Sequence, residues 1–271
     1  VEPCLWVNLE ASPPVLLGQQ VDDILVAATK EANDRLVAQL RALDVPISVN
    51  QRARLFCSIE FRKNGNGSHT LSQEGYFKRI LADHGYEKTP VKRSPLDTSG
   101  KQEPDDDVFL GVQDHAHYRS AVGALMYGST MTRPDISFAM SQLSRHLQAP
   151  TKKHLRDLER VFGYIKGTID FGITFGGDVT KVTPPAIEND DLYFFVDSSH
   201  GDANLERKGT TGWIGMWRGG PITWKSKKQS VTSCSTAESE TIAASEAGKQ
   251  AMFLRGHAGD RTSATSAYGF T

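Results

Sequence analysis

The sequence predicts a mixed α/β (α+β) fold, and three features predict it. Short apolar runs with strand-like alternation open and close the chain, amphipathic segments at helical spacing fill its middle, and Gly- and Pro-rich joints separate the blocks. No segment repeats another.

The first block, "PVLLGQQVDDILVAA", reads as a β-hairpin from Val15 to Ala28 with Asp22 and Asp23 at its turn. It runs into "TKEANDRLVAQLRALD", where Ala32, Leu36, Val37, Leu40 and Leu43 recur at helical spacing behind Thr29, a natural N-cap. The hairpin is expected to pack on that helix. "RLFCSIEFRK" alternates as a strand, "NGNG" turns the chain, and "LSQEGYFKRILADHGY" is a second amphipathic helix, with Ser72 as its cap and Gly85 at its end. Residues 88–114, containing "KTPVKRSP" and "KQEPDDD", read as a linker with a solvated acidic run. Helices follow in "YRSAVGALMYGST", "RPDISFAMSQLSRHLQ" and "TKKHLRDLERVFGYIKGT". Pro134 suits the first turn of the second, and Pro150 with Thr151 divides the second from the third. After "GITFGG" the pattern becomes β-β-β-α: "LYFFVDSS", "TTGWIGMWRGG" and "PITWKSKKQ" are strands, and "STAESETIAASEAGKQAMFLR" is a helix. The last residues lack periodicity.

At 271 residues, with 38% hydrophobic and 23% charged side chains, the composition is that of a soluble globular chain of one large or two ordinary domains. The 31 Lys and Arg against 32 Asp and Glu exclude a global basic field, so a nucleic-acid surface has to be local, as in "TKKHLRDLER" and "WKSKKQ". Cys4, Cys57 and Cys234 are too few and too scattered for a disulfide framework or a zinc pattern, which suits a reducing cytoplasmic or nuclear setting rather than secretion. No apolar run approaches the roughly 20 residues that cross a bilayer. The chain does not begin with Met and is expected to be a piece of something longer.

Two acidic sites carry the chemistry. Asp22 and Asp23 are either ordinary turn residues or a pair whose repulsion is offset by divalent metal. Asp197 closes an apolar strand, where an acid is either a turn former or a ligand emerging at the sheet's end. On the helix three strands later, Glu240 shares a face with Ala244, Ala247 and Ala251, a small-residue stripe suited to packing on a sheet. Glu238 lies about 200° away at roughly 3.6 residues per turn. Asp197 and Glu240 are therefore expected to approach within bridging distance of one ion, half of a carboxylate cluster for two-metal phosphoryl transfer. Other chemistries lack their motifs: there is no Gly-rich phosphate loop and no H-E-x-x-H. "DHAHY", Asp114 to Tyr118, sits at the linker's end and is read as structural. Ser235 and Cys234 have no base beside them and read as helix-cap residues.

With both acidic sites in order, residues from Glu2 to Arg255 resemble the C-terminal part of copia-type long-terminal-repeat retrotransposon polyproteins. "EPCLWV" is similar to D-P-C-L-Y/W, "QVDDILVAA" to Y-V-D-D-I/M-L-I-A with Gln20 for Tyr, and "RLFCSIEF" to K-F-L-G-I-E-I. "LSQEGYFKRILADHGYEKTPVKRSPLD" and "YRSAVGALMYGSTMTRPDISFAMSQLSRHLQAPTKKHL" follow the family's next segments. "ITWKSKKQSVTSCSTAESETIA" resembles its ribonuclease H part.

The resemblance implies a distal reverse transcriptase palm fragment over 1–87, the linker over 88–114 and a helical connection over 115–170. A partial ribonuclease H-like unit over 171–256 and an irregular tail over 257–271 complete it. It also implies that Asp22 and Asp23 match the metal-binding aspartates of the RNA-directed DNA polymerase and that Asp197 and Glu240 match two ribonuclease H carboxylates. Mg2+ or Mn2+ would be the cofactor, and template-primer or RNA–DNA hybrid the parent protein's partner. The family's third polymerase aspartate is expected upstream and its remaining ribonuclease H carboxylates downstream. Asp202 and Asp260 stand in loop-like settings that make poor substitutes. The expectation is a catalytically inactive fragment. The alternative is a non-catalytic hybrid-binding module using Lys152, Lys153, Lys225, Lys227 and Lys228.

Overall fold

The structure, a computed structural model, describes residues 4–8, 13–50, 53–97, 103–176, 192–199 and 208–259. Among them are three antiparallel sheets and six α-helices, the expected α+β mixture. Strands β1 (Leu5–Asn8), β2 (Val15–Gln20) and β3 (Asp23–Ala27) form the first sheet, with β2 in the middle. Gln20 pairs with Asp23, so the hairpin closes through Val21 and Asp22 as the turn chemistry predicts. Helix α1 (Lys30–Ala42) starts where Thr29 Oγ1 accepts the Ala32 N–H at 3.2 Å. None of its residues is buried. The expected packing of hairpin on helix therefore builds no core, because the stripe through Leu36, Val37 and Leu40 is only half covered.

The second sheet corrects a boundary. Strands β4 (Leu55–Phe56), β5 (Ile59–Lys63) and β6 (His69–Ser72) are joined by β7 (Gly172–Phe175), which lies about a hundred residues on and pairs antiparallel with β6. The stretch beginning at Phe171, read as the start of the C-terminal unit, instead completes the N-terminal sheet. Gly172 permits it, since a Cβ there would lie 2.3 Å from the Leu71 carbonyl oxygen. Ser72 is held in this ladder opposite Gly172, so Gln73 takes the N-cap position of α2 (Glu74–Asp83) in its place. Gly85, at φ +76°, ends that helix as expected.

One core gathers α2, α3 (Val112–Met131), the 3-10 turn Pro134–Ile136, α4 (Ser137–Ser144) and α5 (Lys152–Gly167). Phe77, Leu125, Met140, Leu158 and Phe162 are fully buried in it. The residues read as a linker are clamped to α5. Gly163 allows this approach, because a Cβ would sit 2.4 Å from the Pro90 carbonyl, and its own carbonyl accepts the Lys92 N–H. The acidic run is not simply solvated. Asp105 pairs with Lys152 at 3.1 Å and Arg156 at 2.9 Å, which hold its carboxyl below the usual range, and Asp106 is lowered first by the Glu103 N–H it accepts at 2.9 Å and then by its pairing with Arg156.

Helix α5 contains a pH-sensitive cap. His154 Nδ1 accepts the Thr151 N–H at 3.0 Å, and its ring stacks on His146 with centroids 3.7 Å apart. Burial, then the neighbouring His146, pushes the His154 pKa down to about 4, and burial also lowers His146. The folded form favours neutral imidazole, so this contribution is complete above the unfolded pKa near 6.5 and is lost as pH falls from there towards 4. Thermal melts at pH 7 and pH 5 should show lower stability at pH 5. His154→Gln keeps an acceptor at this position without a titrating ring and should flatten the difference. An undiminished pH slope in that variant would exclude the cap as its source.

Strands β8 (Tyr193–Ser199), β9 (Thr210–Trp217) and β10 (Gly220–Lys228) are antiparallel with β9 central, and α6 (Thr236–Gly259) follows. This is the β-β-β-α order read from the sequence. The unit docks on the helices through Trp224, whose Nε1 donates to the Ser129 carbonyl at 2.8 Å, and on β7 through Gly176 N–H to Arg218 O at 2.9 Å.

Candidate metal-binding carboxylate pairs

Asp22 and Asp23 are exposed at the tip of the β2–β3 hairpin. Val21 begins the turn at φ +51°, left-handed backbone that a β-branched residue rarely adopts, so local strain accompanies the acids. The tip lies beside the β4–β5 turn, where Cys57 and Ser58 both have positive φ. The Cys57 thiol is pushed up by burial and, secondarily, by the Asp23 charge. Tyr127 of α3 donates to the Cys57 carbonyl at 2.5 Å and ties this turn to the helical core.

Asp197 lies on β8, and its Oδ1 accepts the Ser198 N–H at 2.9 Å. Strand alternation places it with Phe195 and Ser199 on the sheet face turned to α4. There it lines an open cleft of about 490 Å3 with Phe195, Phe138 and Trp224. Helix α6 covers the other face, where Ile242 and Glu246 meet Thr211 and Trp213. The buried stripe of α6 is Ser239, Ala243 and Ala247; Ala244 is exposed and Glu240 lies half-buried beside the stripe. The inward face is therefore rotated by one residue from the one read through Glu240, Ala244, Ala247 and Ala251. Asp197 and the α6 stripe thus occupy opposite faces of the sheet instead of the shared face expected for Asp197 and Glu240.

A polar knot sets that rotation. Ser239 Oγ donates to the Ser199 carbonyl at 3.1 Å, and Gln229 Nε2 donates to Ser239 O and Thr211 Oγ1, both at 3.1 Å. Sequence reading missed Gln229 and Ser239 because a lone Gln after a basic run gives no periodic signal. Glu238 is structural. Its N–H donates to Ser235 Oγ at 3.1 Å, and its Oε2 accepts the Cys234 N–H at 2.6 Å, so Ser235 and Glu238 together cap the first turn of α6. The histidines of "DHAHY" are likewise occupied: His115 bonds to the Leu147 carbonyl and His117 to the Tyr86 hydroxyl. Asp202 and Asp260 lie outside the described residues.

What the pairs can do follows from their number. Among the described residues no three His, Cys, Asp or Glu side chains stand close enough to share a metal ion. Two ions across a scissile phosphate need more ligands than either pair offers.

No family model matches the chain. It is 30% identical over 264 residues to the retrovirus-related Pol polyprotein from transposon TNT 1-94 of Nicotiana tabacum, covering 94% of this chain and 19% of that protein. It is 28% identical over 247 residues to the putative transposon Ty5-1 protein of Saccharomyces cerevisiae, covering 89% of this chain and 75% of that protein. The chain belongs to the copia-type retrotransposon Pol polyproteins. This copia-type chain spans about a fifth of the tobacco polyprotein it matches. A further relative, secreted RxLR effector protein 161 of Plasmopara viticola, is 34% identical over 137 residues, 51% of this chain and 90% of the effector. No helix among the described residues is long and apolar enough to cross a membrane.

Proposed function

We propose that this piece of a copia-type Pol polyprotein carries parts of two magnesium- or manganese-dependent centres and, by itself, turns over at neither. Asp22 and Asp23 would belong to the RNA-directed DNA polymerase centre, and Asp197 and Glu240 would be ribonuclease H carboxylates that do not meet here, since Asp197 and the buried stripe of α6 lie on opposite faces of the sheet. One observation carries the reading: neither acid pair gains a third metal-ligating side chain among the described residues. The described residues do not make a two-metal site by themselves, so no phosphoryl-transfer step is assigned to them. Template-primer and RNA–DNA hybrid are then partners of the longer parent protein.

A second reading is a non-catalytic hybrid-binding module whose basic segments, at Lys152, Lys153, Lys225, Lys227 and Lys228, contact phosphates. Purified chain with Mg2+ or Mn2+ is expected neither to extend a primer nor to cleave the RNA of a hybrid above background. Hybrid cleavage that disappears in Asp197→Asn and Glu240→Gln would overturn the first reading. Salt-dependent hybrid binding without cleavage would favour the second.

A further inference from the structure

The cleft of about 490 Å3 on the α4 side of the third sheet has a glycine for its floor. Gly212, on the central strand β9, pairs with Asp197 of β8 and Ser226 of β10, so the three share this face. A Cβ on Gly212 would meet only the Asp197 carbonyl oxygen, at 3.9 Å, and its backbone is not left-handed. The space above the strand is open because a side chain is missing, and packing does not forbid one there. Aromatic rings stand around it. Phe138 of α4 and Phe195 of β8 are each 48% exposed, a large apolar surface to leave in one hollow. Trp224 of β10 completes the wall, and the hydrogen bond from its Nε1 to the Ser129 carbonyl anchors the indole.

Asp197 is the acid of this cleft. Its Oδ1 accepts the Ser198 N–H, and no Lys or Arg forms an ion pair with it among the described residues. The cations of β10 do not neutralise it. Pairing with Trp213 and Thr211 turns Lys225 and Lys227 to the α6 face beside Glu246, so Lys225 borders the cleft but directs its ammonium away. Lys228 shares the cleft face, yet it lies two residues beyond Ser226 and does not line the cleft. Aromatic faces attract cations, and a carboxylate beside them adds a full negative charge. A neutral apolar occupant would strip water from the carboxylate without replacing it, and an anion would be repelled. A cation that carries its charge on alkyl groups satisfies rings and carboxylate together.

We propose that this cleft binds an organic ammonium cation, held among the rings of Phe138, Phe195 and Trp224 and by the Asp197 carboxylate. The inference rests on neither catalytic centre. A divalent ion at Asp197 would make no use of the rings, so the effect of ring substitutions separates the two. Such a group has two sources, a free quaternary ammonium compound or a methylated lysine side chain.

The test is calorimetric titration of the full chain in EDTA, with choline as the probe and dimethylbutanol, its uncharged isostere, as the comparison. Choline should bind on the order of millimolar, and the alcohol roughly tenfold more weakly or not at all. Asp197→Asn and Phe138→Ala should each weaken choline binding about threefold or more. Gly212→Val places a side chain in the open space over β9 and should abolish binding, while its thermal melt stays that of the parent chain because the new Cβ meets no close atom. Acetylated trimethyl-lysine amide distinguishes the sources: binding tighter than that of choline identifies a protein side chain, and equal or weaker binding identifies a free ammonium compound. Failure of choline to bind, equal affinity for the alcohol, or undiminished binding in Gly212→Val or Phe138→Ala overturns the proposal.

Discussion

Replacing Arg133 with alanine is expected to destabilise the chain by about 3–5 kcal/mol, the range for removing one partner of a buried ion pair. Arg133 is 1% exposed, yet it keeps a full set of partners. Its Nε and Nη2 grip Asp135 at 2.9 and 2.7 Å, and Nη1 and Nη2 donate to the carbonyl and hydroxyl of Thr168 at 2.9 and 2.6 Å. The rings of Phe77, Tyr164 and Phe171 surround the guanidinium, each centroid 5.6 Å from its carbon. Tyr164 donates to the same Asp135 carboxylate at 2.8 Å. Arg133 therefore joins the α3–α4 turn, the end of α5 and the approach to β7. Truncation leaves Asp135 half-shielded without its cation and opens a cavity beside Phe77. Arg133→Lys should rescue only part of the loss, because an ammonium lacks the planar fork that reaches Asp135 and Thr168 together. Urea denaturation of the three proteins measures it. A loss below about 1 kcal/mol for Arg133→Ala would show that the network is not what holds these elements together.

Trp224→Ala is expected to separate the stability of the β-β-β-α unit from that of the helical core. The substitution removes a half-buried indole that closes β10 against α4, and it leaves the buried Ser129 carbonyl without its N–H donor. Loss of about 2–3 kcal/mol follows, less than the full cost of truncating a buried Trp because the ring is partly exposed. Trp224→Phe keeps most of the ring and isolates the hydrogen bond, at about 1 kcal/mol. Hydrogen exchange gives the sharper measurement. Amides of β8, β9 and β10 should exchange faster in Trp224→Ala, while those around Leu125, Met140 and Phe162 keep their protection. Uniform acceleration across both regions would mean that the two parts unfold as one cooperative unit.

The local elements were legible in the sequence because their signals are local. Alternation around Asp22 and Asp23, the helical spacing of Leu36, Val37 and Leu40, the Asn-Gly turn before β6 and the three strands before α6 all depend on residues a few positions apart. Family motifs singled out the four acids as candidates, since an ordered series of such segments survives where each alone is weak. Sequence by itself therefore determined most of the elements and their order, though not β1, and the polyprotein family to which the chain belongs.

Tertiary structure alone decided the partners. Nothing near Gly172 announces that β7 will pair with β6, and nothing near Pro90 announces the groove that Gly163 opens for it. Nothing around Arg133 in the sequence announces that Phe77, Tyr164 and Phe171, from distant segments, enclose it. The orientation of α6 turned on Ser239 meeting Gln229 and the Ser199 carbonyl, contacts spanning 10 and 40 residues. One residue of helix is about 100° of rotation, so a single buried polar knot moves Glu240 from the centre of the packed face to its margin. Spacing along a helix defines which residues share a stripe, but burial, and hence which stripe turns inward, belongs to the surfaces that the rest of the chain brings to meet it.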